Sequence, residues 1–238
     1  MKILIVSATI KEIKPLVEAM QFKGQAENSL LLRGEGRKGG YILSTYTMRK
    51  LEVDVLISGV GMVATAYTLG RTLSGAKKYD CALNFGIAGS FLRELALGQV
   101  VRVVNDRFIE MGAESGNGFL PAEEMRLVEK GDIQIENAHD IKNEELLKLP
   151  EVSAITVNTV HGNTESIDKL LKRCRPAIES MEGAAFLYAC KKANLPCAQV
   201  RAVSNYVENR NGDNWKIDLA VENLCKSASA ILKTITAP

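Results

Sequence analysis

The chain has 238 residues, of which 46% are hydrophobic and 24% are charged, and its formal net charge is +2. This composition is typical of a globular protein with a sizeable core. The nearly balanced charge excludes the strongly basic surface that binds nucleic acid or an anionic membrane. No apolar run in the sequence approaches the roughly 20 residues of a membrane span. We therefore expect neither a nucleic-acid nor a membrane partner.

The five cysteines are scattered, odd in number and never spaced as CxxC. This usage indicates a reducing compartment, without a disulfide framework and without a zinc site. The first apolar run, ILIV, is too short for the core of a signal peptide and is typical of a buried strand. We therefore expect a cytoplasmic protein.

Strand-like and helix-like patterns alternate along the chain. Strands are predicted at residues 3–6, 53–58, 81–85, 100–108, 152–160, 177–181 and 197–204. Helices are predicted at residues 10–20, after the glycines of 59–61, and at 164–174, 182–193 and 215–232. Residues 30–47 are typical of two antiparallel strands around the turn GEGRKGG, and the polar residues 112–150 suggest an irregular surface excursion.

This alternation predicts βαβ crossovers and hence an α/β fold. We expect three layers, with a central mixed β-sheet flanked by helices, in a single domain over residues 1–238. In such sheets ligands bind outside the carboxyl ends of the strands. Functional side chains are therefore expected in the segments that follow the predicted strands.

The motif GVG, at residues 59–61, precedes a helix and could offer backbone N–H groups to an anion. A dinucleotide site is poorly supported, because no acidic residue follows a second strand at the expected place. Close packing of strand against helix explains these glycines better. The sequence has no P-loop, nucleophilic triad or metal-ligand cluster, so we expect neither a cofactor nor a metal.

A second motif of small residues, NFGIAGS, follows a predicted buried strand. It contains Gly86, Ile87, Ala88 and Gly89. Small residues at this place would let a flat ligand lie against the backbone, although a tight turn explains them about equally well. The motif alone therefore leaves both interpretations open.

Two glutamates flank a methionine in ESMEGAAF, where a predicted strand meets a helix. Glu182 opens the helix, where the positive end of the helix dipole stabilises a carboxylate. It therefore either caps the helix or accepts hydrogen bonds from a sugar diol. Glu179 lies three residues earlier, and strand alternation predicts that it faces away from Glu182 in a structural or solvated position.

Other polar residues stand near predicted strand ends. Glu12 lies early in the first helix, and Asn205 ends the last strand, where an amide suits either a turn or the edge of a heterocycle. His161 follows a strand and could either line a pocket or serve the loop alone. His139 lies in the polar excursion and is expected to be exposed. None of these residues defines a site by itself.

Taken in order, the segments MKILIVSATIKEI, GVGMVATA, NFGIAGSF, LGQVV, ESMEGAA and VRAVSN resemble the nucleoside phosphorylase/hydrolase superfamily over essentially the whole chain. The methylthioadenosine/S-adenosylhomocysteine nucleosidases share the first-helix glutamate, an NxGxAG segment, a methionine–glutamate pair and a final RAxSD. Within the superfamily, the chain looks most similar to the futalosine hydrolases, enzymes of the menaquinone pathway that remove hypoxanthine from futalosine.

The final motif departs from the adenine-specific nucleosidases, because Asn205 stands where they have aspartate. A protonated aspartate can donate to N7 of adenine while its other oxygen accepts from the 6-amino group. A 6-oxopurine presents a carbonyl there, which an amide N–H can serve and a carboxylate oxygen cannot. Because buried polar groups left unpaired are costly, Asn205 favours hypoxanthine or guanine over adenine.

The resemblance implies a site for a small-molecule purine nucleoside, in which Asn205 binds the N7/O6 edge, Glu182 holds the ribose hydroxyls and Glu12 activates water. The other implied contacts are Gly86, Ile87, Ala88 and Gly89 along base and sugar, His161 at the base-stacking position, Gly162 at the purine edge and Met181 against the sugar. It also implies a homodimer or higher homo-oligomer.

Futalosine carries a carboxyphenyl-ketone arm on its 5′ carbon. The segment YVENRNGDNWKID, residues 206–218, suits a lid over that arm, because Arg210 could pair with the benzoate. A polar surface loop is the other interpretation of this segment.

Three alternatives stay open. The first is a methylthioadenosine/S-adenosylhomocysteine nucleosidase. The second is a purine nucleoside phosphorylase with a phosphate held by arginines such as Arg49, Arg71 and Arg93. The third is a nucleoside-binding module without catalysis, which the presence of both Glu12 and Glu182 argues against.

Overall fold

A computed structural model describes residues 1–25, 42–116, 118–137 and 141–235. The strands are β1 (Lys2–Ser7), β2 (Gln21–Gln25), β3 (Ile42–Met48), β4 (Leu51–Ile57), β5 (Cys81–Ser90), β6 (Val100–Phe108), β7 (Gly112–Ser115), β8 (Gly118–Pro121), β9 (Gln134–Glu136), β10 (Glu151–Thr156), β11 (Ile178–Ser180) and β12 (Cys197–Tyr206). The helices are α1 (Ile10–Glu18), α2 (Met62–Leu73), α3 (Lys130–Ile133), α4 (Glu144–Leu147), α5 (Thr164–Arg173), α6 (Gly183–Lys192) and α7 (Ile217–Thr234).

Ten strands form one mixed sheet in the order β11-β10-β6-β12-β5-β1-β4-β3-β2, with β9 beside β6. β5 is parallel to both β1 and β12, whereas β3 is antiparallel to β4. Because β11 also pairs with β5, the strands β5, β12, β6, β10 and β11 close into a ring. Helices flank this sheet, so the predicted α/β class with a central mixed sheet is confirmed.

The buried strand β1 explains the layers on either side of the sheet. Ile3 and Ile5 pack with buried residues of α1 and α7, whereas Leu4 and Val6 pack with buried residues of α2 and α6. Successive side chains of a strand point to opposite faces, so a strand covered on both faces is apolar throughout. The run ILIV therefore fixes β1 at the centre of the fold.

Two predicted strands are longer than their sequence pattern indicated. β5 continues through the motif NFGIAGS to Ser90, and β12 continues to Tyr206. The glycines suggested a turn after Phe85, but the backbone stays extended there because β12 pairs with it. The register of this pairing shifts between Val203 and Asn205, which marks an irregularity at the end of the sheet.

The irregular excursion predicted at residues 112–150 is wrong in part. The segment contains the hairpin β7–β8 and the short helices α3 and α4, and β9 joins the main sheet beside β6. Short, largely exposed elements carry a weak hydrophobic period, which explains why the sequence pattern missed them.

Of the two strands predicted within 30–47, β3 is present and pairs with β2 and β4. Residues 26–41 and His139 lie outside the described residues.

No helix in the described ranges has both the length and the apolar character that crossing a membrane would need.

The parallel strands β1, β5 and β12 point their carboxyl ends toward the same edge of the sheet. Side chains that follow or end these strands are therefore brought together.

We expect Phe186→Ala to lower the free energy of unfolding by about 3–5 kcal/mol, because the side chain is fully buried in α6 and its removal leaves a cavity. Leu127→Ala is the control, since that leucine is 71% exposed and its loss should change stability by less than about 0.5 kcal/mol. Urea unfolding measures both variants. Equal, small losses would mean that α6 does not belong to the core.

Candidate active site

A cavity of about 530 Å³ opens at the carboxyl ends of β1, β5 and β12. Its size suits a small organic ligand. Most of the predicted site residues line it, namely Glu12, Ile87, Ala88, Gly89, His161, Met181, Glu182, Asn205 and Arg210. Gly86 and Gly162 lie behind this wall, and each packs against an arginine side chain.

Four donors hold the carboxylate of Glu12 in place. Its Oε2 accepts hydrogen bonds from the Thr9 N–H at 2.9 Å, the Thr9 hydroxyl at 3.1 Å and the Ser7 hydroxyl at 3.3 Å. Its Oε1 accepts from the Ile87 N–H at 3.2 Å. The sequence SATIKE therefore places a fixed acceptor in the cavity wall, between the ends of β1 and β5.

Glu182 is only 7% exposed and does not cap its own helix. Its Oε1 instead accepts from the Gly61 N–H at 2.8 Å. Gly61 has a φ of 95°, which glycine adopts without strain. Burial raises the pKa of Glu182, while Arg201 and the Gly61 N–H oppose that rise. The GVG motif thus binds an anion, but that anion is the protein's own carboxylate.

Arg201 is a buried charged residue beside this cavity that the sequence reasoning missed. It is 1% exposed, its Nε donates to Gln199 Oε1 at 3.1 Å, and its Nη2 donates to Asn84 Oδ1. The positive charge of the guanidinium opposes the rise that burial causes in the pKa of Glu182. The signal was available, because an arginine inside the apolar run of VRAVSN needs buried partners.

Gly86 shows how closely these charged groups meet. A Cβ on Gly86 would lie 2.1 Å from Arg201 Nη1 and 3.1 Å from Glu12 Oε1. Because Gly86 has no side chain, the guanidinium of Arg201 has room beside the carboxylate of Glu12. Gly86 thus gives room to the protein's own arginine, and its expected contact with a ligand stays a prediction.

The amide of Asn205 has a defined orientation. Its Nδ2 lies 3.1 Å from the carbonyl oxygen of Tyr206, which can only accept, and its Oδ1 lies 2.8 Å from the Ser204 hydroxyl. The amide nitrogen carries two hydrogens, so one remains after the bond to Tyr206. Asn205 therefore offers an N–H donor at the cavity.

Glu179 corrects a prediction, because it is neither solvated nor turned away from the site. It is 3% exposed and lines the same cavity as Glu182. Strand alternation fails here since β11 ends at Ser180, before Glu182 is reached. The Oε1 of Glu179 accepts from the His161 N–H at 2.9 Å, and its Oε2 lies 2.6 Å from His161 Nδ1.

Arg210 and Trp215 form one side of the cavity. The Arg210 guanidinium carbon lies 4.7 Å from the centre of the Trp215 ring, within cation–π range. The Arg210 N–H donates to the Gly162 carbonyl at 3.0 Å, which ties the segment after β12 to the loop that carries His161. Arg210 and Trp215 therefore border the pocket.

The charges of the described cavity suit a reaction in which positive charge develops on the ligand. Glu12 and Glu182 face it from two elements, and the buried Arg201 lies near Glu12 and interacts electrostatically with Glu182. Arg49, Arg71 and Arg93, which could have held phosphate, do not line this cavity. Within the described residues, no cluster of three histidine, cysteine or acidic side chains has a metal-binding arrangement.

The sequence matches the profile of the Phosphorylase superfamily over residues 2–237. It is 30% identical over 188 residues to a futalosine hydrolase of Acidothermus cellulolyticus, covering 75% of this chain and 74% of that protein. It is 25% identical over 240 residues to an aminodeoxyfutalosine nucleosidase of Helicobacter pylori, covering 98% and 97% of the two chains.

Solved structures agree on the fold. A Helicobacter pylori methylthioadenosine/S-adenosylhomocysteine nucleosidase variant with 5′-methylthioadenosine in its active site superimposes with a TM-score of 0.76, at 20% identity and 98% coverage of both chains. The native structure of futalosine hydrolase from the same species gives a TM-score of 0.76 at 19% identity, covering 98% of this chain and 97% of that one. The chain belongs to the phosphorylase superfamily.

Proposed function

We propose that this chain hydrolyses the N-glycosidic bond of futalosine and releases hypoxanthine, as a cytoplasmic enzyme of menaquinone biosynthesis. The observation that carries the proposal is a single cavity with the carboxylates of Glu12 and Glu182 and the amide N–H donor of Asn205 in its wall. Nucleoside hydrolysis is also the activity named for the relatives of known function, among them the futalosine hydrolases.

The sugar lies against Glu182 and Met181 in this proposal. A carboxylate accepts both hydrogens of a ribose diol, and its charge stabilises the cationic sugar that forms as the bond breaks. The bond from the Gly61 N–H fixes one oxygen of Glu182, so the carboxylate is oriented before the substrate arrives. Such preorganisation lowers the barrier because no reorganisation is needed during the reaction.

Water attacks the anomeric carbon from the side of Glu12. Glu12 accepts a proton from that water, and its four donors keep the carboxylate aimed while Arg201 lies beside it. A phosphate ion would have to approach the same carboxylate, which repels it. Hydrolysis therefore fits this cavity better than phosphorolysis.

The base lies at Asn205, which donates to the N7/O6 edge of a 6-oxopurine. Its Nδ2–H suits the carbonyl at the six position, and Tyr206 holds the amide in the orientation that presents it. His161 lines the wall beside the base. Gly162 does not line the cavity and its carbonyl accepts from the Arg210 N–H, so its expected contact with the purine edge is not part of this proposal. Over one turnover, the proton that the purine gains balances the proton that Glu12 takes from water.

The 5′ arm of futalosine ends in a benzoate, for which Arg210 and Trp215 provide a cation and a ring. Their mutual contact keeps the guanidinium at the cavity instead of in bulk solvent.

We also propose a homodimer or higher homo-oligomer. Val60 at the cavity and Val63 beside it are 57% and 77% exposed, and apolar side chains of this kind are typical of an interface.

The free base released by the purified protein tests the proposal. We expect hypoxanthine from futalosine, at a rate independent of phosphate, and little adenine from methylthioadenosine, measured by chromatography.

Glu12→Gln and Glu182→Gln should each lower kcat by about 100-fold, because each removes a charge that acts at the transition state.

Asn205→Asp is the matched variant for the choice of base. It should weaken futalosine hydrolysis by about 10-fold or more, because a buried oxygen then faces the purine carbonyl. Release of adenine in preference to hypoxanthine by the wild type would instead identify a methylthioadenosine-type nucleosidase. Strict dependence on phosphate would identify a phosphorylase.

The raised pKa of Glu182 predicts the acidic limb of the pH profile. The carboxylate is the active form, so kcat/KM should fall as pH decreases through a pKa above the ordinary value of 4.5, which burial causes. Stopped assays across acidic pH measure this limb. A profile that stays flat down to the pKa of an exposed glutamate would show that Glu182 is not needed in its ionised form.

Arg210→Ala is expected to raise KM for futalosine by about 10-fold or more and to change kcat little, since the benzoate lies away from the reacting bond. The same variant should leave KM for inosine unchanged, because inosine carries no benzoate. An unchanged KM for futalosine would exclude Arg210 from recognition of the arm.

A further inference from the structure

One side chain of the cavity wall, Glu179, has no part in the proposal above. The carboxylate of Glu179 is 3% exposed, and both of its oxygens are directed at a single residue, His161. Oε1 accepts from the His161 backbone and Oε2 lies 2.6 Å from Nδ1. Two bonds from one carboxylate fix both the loop and the imidazole ring.

The pair stands at the base end of the cavity. In the sheet, Glu179 on β11 is opposite Gly89 on β5. A Cβ on Gly89 would lie 3.6 Å from the Cγ of Glu179 and 3.2 Å from Nδ2 of Asn205. Glu179 and Asn205 therefore flank the same backbone position, and His161 shares a wall with the amide that binds the purine edge.

The contacts of His161 determine which ring nitrogen carries a proton. A carboxylate only accepts, so Nδ1 donates to Glu179. The ring also packs edge-on against Phe91, with centroids 6.3 Å apart and an angle of 63°. Among the described residues, Nε2 has no hydrogen-bond partner. The ring is therefore held by the protein on one edge and is open to the cavity on the other.

Charge balance favours the ionised ring. A carboxylate as buried as Glu179 is costly unless a cation or several donors compensate it. An imidazolium at 2.6 Å supplies that cation, in a cavity whose wall also carries the carboxylates of Glu12, Glu182 and Asp218 and the cationic side chains of Lys11 and Arg210. The buried Arg201 is already held near Glu12 and interacts electrostatically with Glu182.

We infer that Glu179 holds His161 as an imidazolium against the purine, and that this cation stabilises the negative charge entering the base as the glycosidic bond breaks. Glu179 is thus a positioning residue, which acts through His161. The inference rests on the proposed function, since it assigns an electrostatic role in that reaction. It gives the cavity two poles, with carboxylates at the sugar, which becomes positive, and a cation at the base, which becomes negative.

The reaction balances without a proton transfer from His161. The bond between C1′ and N9 breaks, and its electron pair moves into the purine. The water oxygen forms the new bond to C1′ and gives its proton to Glu12, which returns it to solvent. The purine takes up one proton from solvent at N7, and the imidazolium keeps both of its own.

Nitrogen-15 NMR of histidine tests the charge without any substrate. The chain has two histidines, so His139→Gln assigns both signals. We expect both ring nitrogens of His161 to show the chemical shifts of an imidazolium at neutral pH, and Glu179→Gln to restore those of a neutral ring. One bare ring nitrogen in the wild type would overturn the inference.

Leaving-group dependence tests the role in the reaction. A nucleoside methylated at N7 already carries positive charge on its base, so little negative charge develops as it departs. His161→Gln should lower kcat by about 100-fold for inosine or futalosine, but by less than about 3-fold for the N7-methylated counterpart. Glu179→Gln should show the same contrast. Equal losses on both substrates would assign the pair a purely structural role.

Glu165→Gln is the matched control, because that glutamate lies on α5 close to the His161 loop but its side chain is 76% exposed. The Glu165→Gln variant should match the wild type on both substrates.

The results of the NMR and activity experiments separate the two proposals. A wild type that cleaves no purine nucleoside refutes the proposed function, whereas a neutral His161 ring in an active enzyme refutes this inference alone.

Discussion

The buried guanidinium of Arg201 is the interaction on which the rest of the site depends. It lies beside Glu12 and Glu182, which would otherwise place two carboxylates in one partly desolvated cavity. Asn84 and Gln199 hold it, and Gln199 in turn donates to the fully buried Asp106. A cation fixed in this way stabilises the two nearby carboxylates, because an unpaired buried charge costs several kcal/mol.

Asp106 anchors that network, and its environment is consistent with this role. Burial raises its pKa to about 6, against hydrogen bonds from Gln199 and Thr156 that favour the charged form. Gly183 starts α6 directly over it, where a Cβ would come within 2.2 Å of Asp106 Oδ2. Two glycines, Gly86 and Gly183, thus border the same chain of polar side chains, and neither leaves space for a larger residue.

The geometry of the sheet determines which side chains meet. β5, β12 and β11 come together at the end of the closed ring, so Gly89, Asn205 and Glu179 are neighbours although they are far apart in sequence. The first turn of α1 and the residue that caps α2 approach the same edge and contribute Glu12 and the Gly61 N–H. One cavity therefore brings together the carboxylates of Glu12 and Glu182, the amide of Asn205 and the Glu179–His161 pair.

The sequence by itself predicted the α/β class and a buried first strand, because hydrophobic period and strand–helix alternation are local properties, and its resemblance to a known family supplied nine of the residues that line the cavity. It also singled out Glu12, Glu182 and Asn205, through motifs whose order along the chain is recognisable. Only the tertiary structure decided that Arg201 meets Glu12 at Gly86 and that Glu179 binds His161. Those contacts join residues from different strands and loops, and no local pattern of the chain specifies which distant partner a buried charge will find.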